Sequence, residues 1–267
     1  MLTAQKFAST NVQIVTTQFD EDKEIIPKEF TQLSNLTRSV LDVNAQLEKR
    51  KLPLIGDILA KLKEVENADY YIYTNVDIAL MPFFYDTVQQ FIDRGHDAVI
   101  INRRRLKKEY SKIDELPLMY ADLGHSHPGF DCFVFHRDLL DKFILDDICV
   151  GISFLEVSLI HNLLAIAKNP LYVPDVHLTF HIGMDVLVPR MNNPFYWHNR
   201  KTYFDKIEPQ IKEKFQLKKF PYADEHLIVR ALKHVLNPSL FTRNYIQMET
   251  VNLKQKLDEM RWRFLQK

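Results

Sequence analysis

An asparagine and an aspartate stand two apart, at Asn75 and Asp77, where the aromatic, strand-like run YIYTNVDIAL loses its alternation. In an extended chain residues two apart project to the same side, so both could face one ligand while Val76 points away. A hard divalent ion such as magnesium or manganese takes oxygen ligands, commonly one or two carboxylates completed by substrate phosphates. The spacing therefore suits a short metal-binding pair whose shell a diphosphate would complete. The local alternative is that Asp77 forms a turn or caps a helix beginning near Pro82.

Three further stretches carry residue types fit for chemistry. In VHLTFHIGMD, strand alternation puts His177, Thr179 and His181 on one face and Val176, Leu178, Phe180 and Ile182 on the other. A neutral imidazole at His181 can bind manganese or meet a phosphate, and Gly183 leaves room for close approach; a hydrogen-bonded histidine beside the core is the alternative. In HSHPGFDCFVFHRD a His-Pro-Gly turn delivers Phe130 and Asp131 to the mouth of a strand, with Cys132, Phe133 and Phe135 as core. Asp131 could there deprotonate an acceptor hydroxyl as a general base, or be ordinary turn chemistry. NPFYWHNR gathers Tyr196, Trp197, His198 and Asn199, flat surface with hydrogen-bonding tips, suited to sugar or base recognition or to packing. Of the basic run Arg103 to Arg105 with Lys107 and Lys108, Arg103 lies nearest a strand end and is the candidate for phosphate.

Positioning these groups requires elements that end where they stand. VQIVTTQF reads as a first strand entering an acidic loop, and IGDILAKLKEVEN as a helix with one apolar face. FTQLSNLTRSVLDVN is open between helix and strand. YYIYTN is a strand, FFYDTVQQFIDRG a helix closed by Gly95, and DAVIIN another strand. Arg103 to Tyr120 reads as a long loop, the kind that often covers a site. FDCFVF, the short helix RDLLDKF, the longer helix ISFLEVSLIHNLLAIAKN and the strand LYVPDVHLTFHIG follow. This alternation argues for an α/β domain with a largely parallel sheet, whose ligands lie outside the carboxyl ends of the strands. Residues 1–199 form that domain, and 200–267 a helical extension packed on it whose tail, Asn244 to Lys267, could dock a partner or a second copy.

Composition narrows the function classes. The 267 residues are 46% hydrophobic with a formal net charge of +0, which suits a large core and gives no electrostatic reason to expect nucleic acid or an anionic membrane. Six single glycines write neither a GxGxxG turn nor a P-loop. Cys132 and Cys149 lack CxxC spacing, no apolar run approaches the roughly 18 residues of a membrane span, and MLTAQKFAST lacks the charged and apolar regions expected of a signal peptide. The expectation is a soluble protein of a reducing, cytoplasmic setting.

Taken together, YTNVDI at a strand end, a later strand with HPGFDCFVF and a final HLTFHIG strand resemble the order of parts in nucleotide-sugar glycosyltransferases of the GT-A fold. The resemblance covers about Val12 to Asn199 and implies a Rossmann-like, mostly parallel mixed sheet flanked by helices. It places Asn75 and Asp77 at the DxD pair that binds metal and diphosphate, His181 at the late metal-site histidine, and Asp131 in the acceptor region with His127 and Gly129. Thr16, Thr17 and Gln18 would line the nucleotide pocket, Arg38 would meet phosphate or base, and Trp197, His198 and Asn199 would meet substrate. The implied reaction moves a sugar from a UDP- or GDP-linked donor to an acceptor with Mn2+ or Mg2+. Asn75 departs from the family's first Asp, and no Glu-Asp or Asp-Asp motif follows the acceptor strand, with Asp146 and Asp147 in ILDDICVG as a substitute or as a turn. Two other readings remain: a phosphoester hydrolase whose two metals sit among His125, His127, His177, His181 and Asp77, and a non-catalytic binding module on a degenerate transferase fold.

Overall fold

Strict alternation of large apolar side chains builds the centre of the molecule. The structure, a computed structural model, describes residues 1–47, 50–106, 110, 112–173, 176–181, 193–214, 226 and 228–229, with the backbone alone for 126–129. The helices are α1 (Leu2–Phe7), α2 (Val40–Val43), α3 (Ile55–Lys61), α4 (Phe84–Asp93), α5 (Leu116–Ala121), α6 (Leu155–Ile166), α7 (Pro194–Thr202) and α8 (Glu208–Ile211). The strands are β1 (Val15–Thr16), β2 (Thr31–Gln32), β3 (Tyr70–Thr74), β4 (Ile78–Leu80), β5 (Ala98–Arg105), β6 (His125–His136), β7 (Pro170–Val173) and β8 (Thr179–His181).

In β5, Ala98 and Ile100 pack on one side with α3 and α6, while Val99 and Ile101 pack on the other with α1 and α4. β6 repeats the pattern, with Phe133 and Phe135 on the first side and Cys132 and Val134 on the second. A strand apolar at every position is one covered on both faces, and the result is three layers, helix on sheet on helix. Cys132 and Cys149 are both buried free thiols.

The sheet order is β3-β6-β5-β8-β4, with β7 also paired to β5. The sheet is mixed, as the expected mostly parallel mixed sheet has it, but antiparallel pairings take a larger share than expected. β5 pairs parallel with β7 and β8, but β6 runs antiparallel between β3 and β5, and β4 antiparallel to β8. β3, β5, β7 and β8 therefore still share one direction, and their carboxyl ends meet at one end of the sheet. VQIVTTQF contributes only β1, which pairs with β2 in a separate two-stranded sheet. RRR, expected in a loop, extends β5, and the expected His-Pro-Gly turn is instead part of the continuous strand β6.

Between β5 and β6 the chain makes an excursion whose helix α5 seats Met119 with Ala79, Met81 and Phe180 on the β4–β8 side. Beyond α7 the helix passes through a π-helical turn, Tyr203–Ile207, before α8. Most of the expected tail, including Asn244 to Lys267, lies outside the described residues. Among the described residues no helix is long and apolar enough to cross a membrane.

Candidate functional site

The connection from β3 to β4 makes the site. β3 and β4 stand at the two ends of the strand order, with β6, β5 and β8 between them, and Asn75, Val76 and Asp77 are the whole of the link from one to the other. They form a tight turn, closed by the Ile78 N–H donating to the Asn75 carbonyl at 3.2 Å. The extended-pair geometry is thereby corrected: Asn75 and Asp77 are neighbours through a turn, and Val76 is left 95% exposed. Asp77 is followed by a strand, so it caps no helix; α4 begins at Phe84 with no side-chain cap.

Five residues singled out in the sequence come together at this end. Ile78 pairs with His181 across β4 and β8, which sets Asp77 beside the imidazole, Oδ2 to Nε2 3.1 Å. The His181 side chain is 12% exposed and that of Asp77 50%, so the pair is rooted in the sheet and opens at the carboxylate. The hydrogen bond to His181 lowers the Asp77 pKa against the opposing effect of burial, with Arg103 adding to the lowering. Arg103, near the end of β5, places Nε 3.1 Å from Asp131 Oδ2. Asp131 stands one residue before Cys132, the partner of Thr74 at the end of β3, so antiparallel β6 brings it to the end where β3 finishes. Burial raises the Asp131 pKa, while Arg103 pulls it down. Asn75 accepts at Oδ1 from the Tyr73 hydroxyl at 3.0 Å.

Two groups here carry no signal in the pattern of Asn75, Asp77 and His181. Tyr73 reads as strand filler, although the alternation linking positions 75 and 77 reaches back to 73. Glu156, in the first turn of α6, accepts from the Phe130 N–H at 3.0 Å and so ties that helix to the residue before Asp131. The helix starts from Phe154 in the left-handed conformation, φ 78°, with its ring against Tyr196, Tyr203 and Phe204.

The other expected site residues are engaged elsewhere. Thr16 pairs with Gln32, Thr17 Oγ1 donates to the Ser34 carbonyl at 2.9 Å, and Gln18 Nε2 to Asn35 at 2.8 Å. Arg38 grips Asp57 through two hydrogen bonds, 2.8 and 2.9 Å, and reaches Asp147 at 3.5 Å. Lys206 pairs with Asp146 at 2.6 Å and Asp147 at 3.3 Å, so the two aspartates serve a charged seam between the 145–149 turn and the C-terminal helices. His198 spans Asn44 and the Asp147 carbonyl. Asn199 is wholly buried and both its amide atoms are spent on Cys149 and Ser153. Trp197 stacks edge-on with Tyr196 and under the Arg200 guanidinium. His127 and Gly129 lie in β6, where the backbone alone is described.

The five-residue cluster expected for a two-metal hydrolase is not assembled among the described residues, where no three His, Cys, Asp or Glu converge on a metal position. His177 lies outside β8, its ring near Phe180 and in the field of Arg104 and Asp122. One carboxylate and one imidazole can still hold an ion. Asp77 Oδ2 and His181 Nε2 are hydrogen-bonded to each other at 3.1 Å, so an ion held by both would replace that hydrogen bond. Such an ion would take its other ligands from water and from a bound phosphate.

No family model and no curated protein matches the chain. Among solved structures, S. aureus TarS 1–349 in complex with UDP-GlcNAc aligns over 88% of this chain and 70% of that one, with 12% identity and a TM-score of 0.45. The complex of TarS 1–349 with UDP aligns over 88% and 69%, with 12% identity and a TM-score of 0.47.

Proposed function

We propose that this protein is a glycosyltransferase that moves a sugar from a UDP- or GDP-linked donor to an acceptor hydroxyl with Mn2+ or Mg2+. The observation that carries the reading is the convergence of the hydrogen-bonded Asp77–His181 pair with the Arg103–Asp131 pair at one end of the sheet. Asp77 and His181 would hold the cation, which when bound supplies positive charge to the departing diphosphate. Arg103 adds a guanidinium suited to phosphate oxygens. The acceptor oxygen forms the new bond to the anomeric carbon as the bond from that carbon to the diphosphate oxygen breaks. The hydroxyl proton passes to Asp131, whose pKa burial moves upward, toward the range where a carboxylate is a useful base.

Thermal shift against UDP- and GDP-linked sugars, with and without Mn2+, tests the reading. At a ligand concentration 100 times Kd, binding to the folded state adds about 2.7 kcal/mol of stability, enough to move the melting temperature by several degrees. We expect metal-dependent stabilisation by at least one donor, lost in Asp77→Ala and in His181→Ala. No metal-dependent stabilisation by any of them sinks the proposal.

A further inference from the structure

We propose that Tyr73 is a positioning residue that fixes Asn75 as a hydrogen-bond donor to the donor's diphosphate, leaving the cation to Asp77 and His181 alone. The inference rests on the transferase reading and deepens it, because it gives the first position of the Asn-x-Asp pair a role opposite to that of a metal-ligating aspartate.

The Tyr73 hydroxyl donates to Asn75 Oδ1 at 3.0 Å. Burial, and then the charges of Asp131 and Asp77, raise the pKa of this phenol, so it keeps its proton at any working pH. A retained and desolvated O–H needs an acceptor, and leaving it without one costs more than the bond gains. The phenol takes one of the two lone pairs of Oδ1 and so fixes which way round the carboxamide sits, with its two N–H donors uncommitted by that bond. Those donors suit phosphate oxygens and are useless to a cation. The ring is held independently of the hydroxyl, stacked on Phe133 at 6.4 Å between centroids in the adjoining strand. Tyr73→Phe therefore removes the hydroxyl and retains the packing.

A double-mutant cycle on the full chain, read by isothermal titration with UDP in the presence of Mn2+ and with Mn2+ alone, tests this. We expect Asn75→Ala and Tyr73→Phe each to weaken UDP binding by about tenfold, the double variant to be no worse than the weaker single, and the affinity for Mn2+ alone to be unchanged in all three. Asn75→Asp, which turns the donor into an acceptor of similar shape, should bind Mn2+ alone more tightly and UDP less well. Additive losses in the cycle, a Tyr73→Phe protein that binds UDP like wild type, or a loss of Mn2+ affinity in Asn75→Ala would each overturn the assignment. Wild-type protein that binds no UDP or GDP with Mn2+ present would instead remove the transferase reading on which it rests.

Discussion

At the scale of single residues, Asp131 sets the sharpest test, because its burial beside Arg103 leaves a trace in stability as well as in reactivity. Its pKa is raised in the folded state, so the folded protein holds that proton more tightly than the unfolded chain. The stabilising contribution is present in full below the unfolded value near 3.8 and is lost as pH rises through the folded value. Asp131→Asn has no such proton to lose. The melting temperature of wild type minus that of the variant should therefore fall as pH rises from acid toward neutral, and a flat difference would show that Asp131 does not titrate in this way. Under the proposed function, sugar transfer in the same variant should drop by about 10²- to 10⁴-fold, with Mn2+-dependent nucleotide binding kept within a few-fold. Residue types were legible in the sequence at this scale, because carboxylate, imidazole and guanidinium are chemistry wherever they lie. What periodicity could not settle was whether Asn75 to Asp77 is an extended pair or a turn, nor could it supply the Tyr73 hydroxyl donating to the Asn75 side-chain carbonyl, since both depend on how groups meet in the fold.

At the scale of elements, the excursion from β5 to β6 is closed at its base by a glycine that has no substitute. Gly124 has φ +54°, and a Cβ there would stand 2.3 Å from the Arg105 carbonyl oxygen, so two backbones meet where no side chain fits. Arg104 secures the same point by donating to the Leu123 and Gly124 carbonyls. Gly95, which ends α4, has φ +85° with open space where a Cβ would be. Gly95→Ala should therefore cost only the strain of a left-handed residue, about 1 kcal/mol. Gly124→Ala should cost distinctly more, because the backbone must also shift; urea denaturation of the two variants side by side checks the order. Elements with long apolar periods, α3, α4 and α6, were readable in advance. The three-residue β4 was not, since nothing local distinguishes it from a loop, and the charged end of β5 became strand because β6 pairs with it.

At the scale of the whole molecule, the order of elements was readable while the antiparallel insertion of β6 was not, because an apolar strand covered on both faces looks the same in either direction. That insertion is what carries Asp131 to the end of the sheet where Arg103, Asp77 and His181 stand. The C-terminal helices attach by a different device, the buried Asn199 of α7. Its Oδ1 accepts from the Cys149 N–H at 2.9 Å, and its Nδ2 donates to the Cys149 carbonyl at 2.9 Å and the Ser153 carbonyl at 3.2 Å. The same turn is held from the other side by Arg38 and Lys206 on Asp146 and Asp147, all of them partly exposed and so worth little individually. The buried amide should dominate the attachment. Asn199→Ala leaves one donor and two acceptors of the main chain without their partner, and an unsatisfied buried group costs about 1 to 3 kcal/mol. We expect a loss of about 3 kcal/mol in urea denaturation, and unchanged nucleotide affinity per folded molecule by titration. A variant that retained its stability but lost nucleotide binding would move Asn199 from the frame of the molecule into its site, and with it the boundary between the sheet domain and the helices that follow.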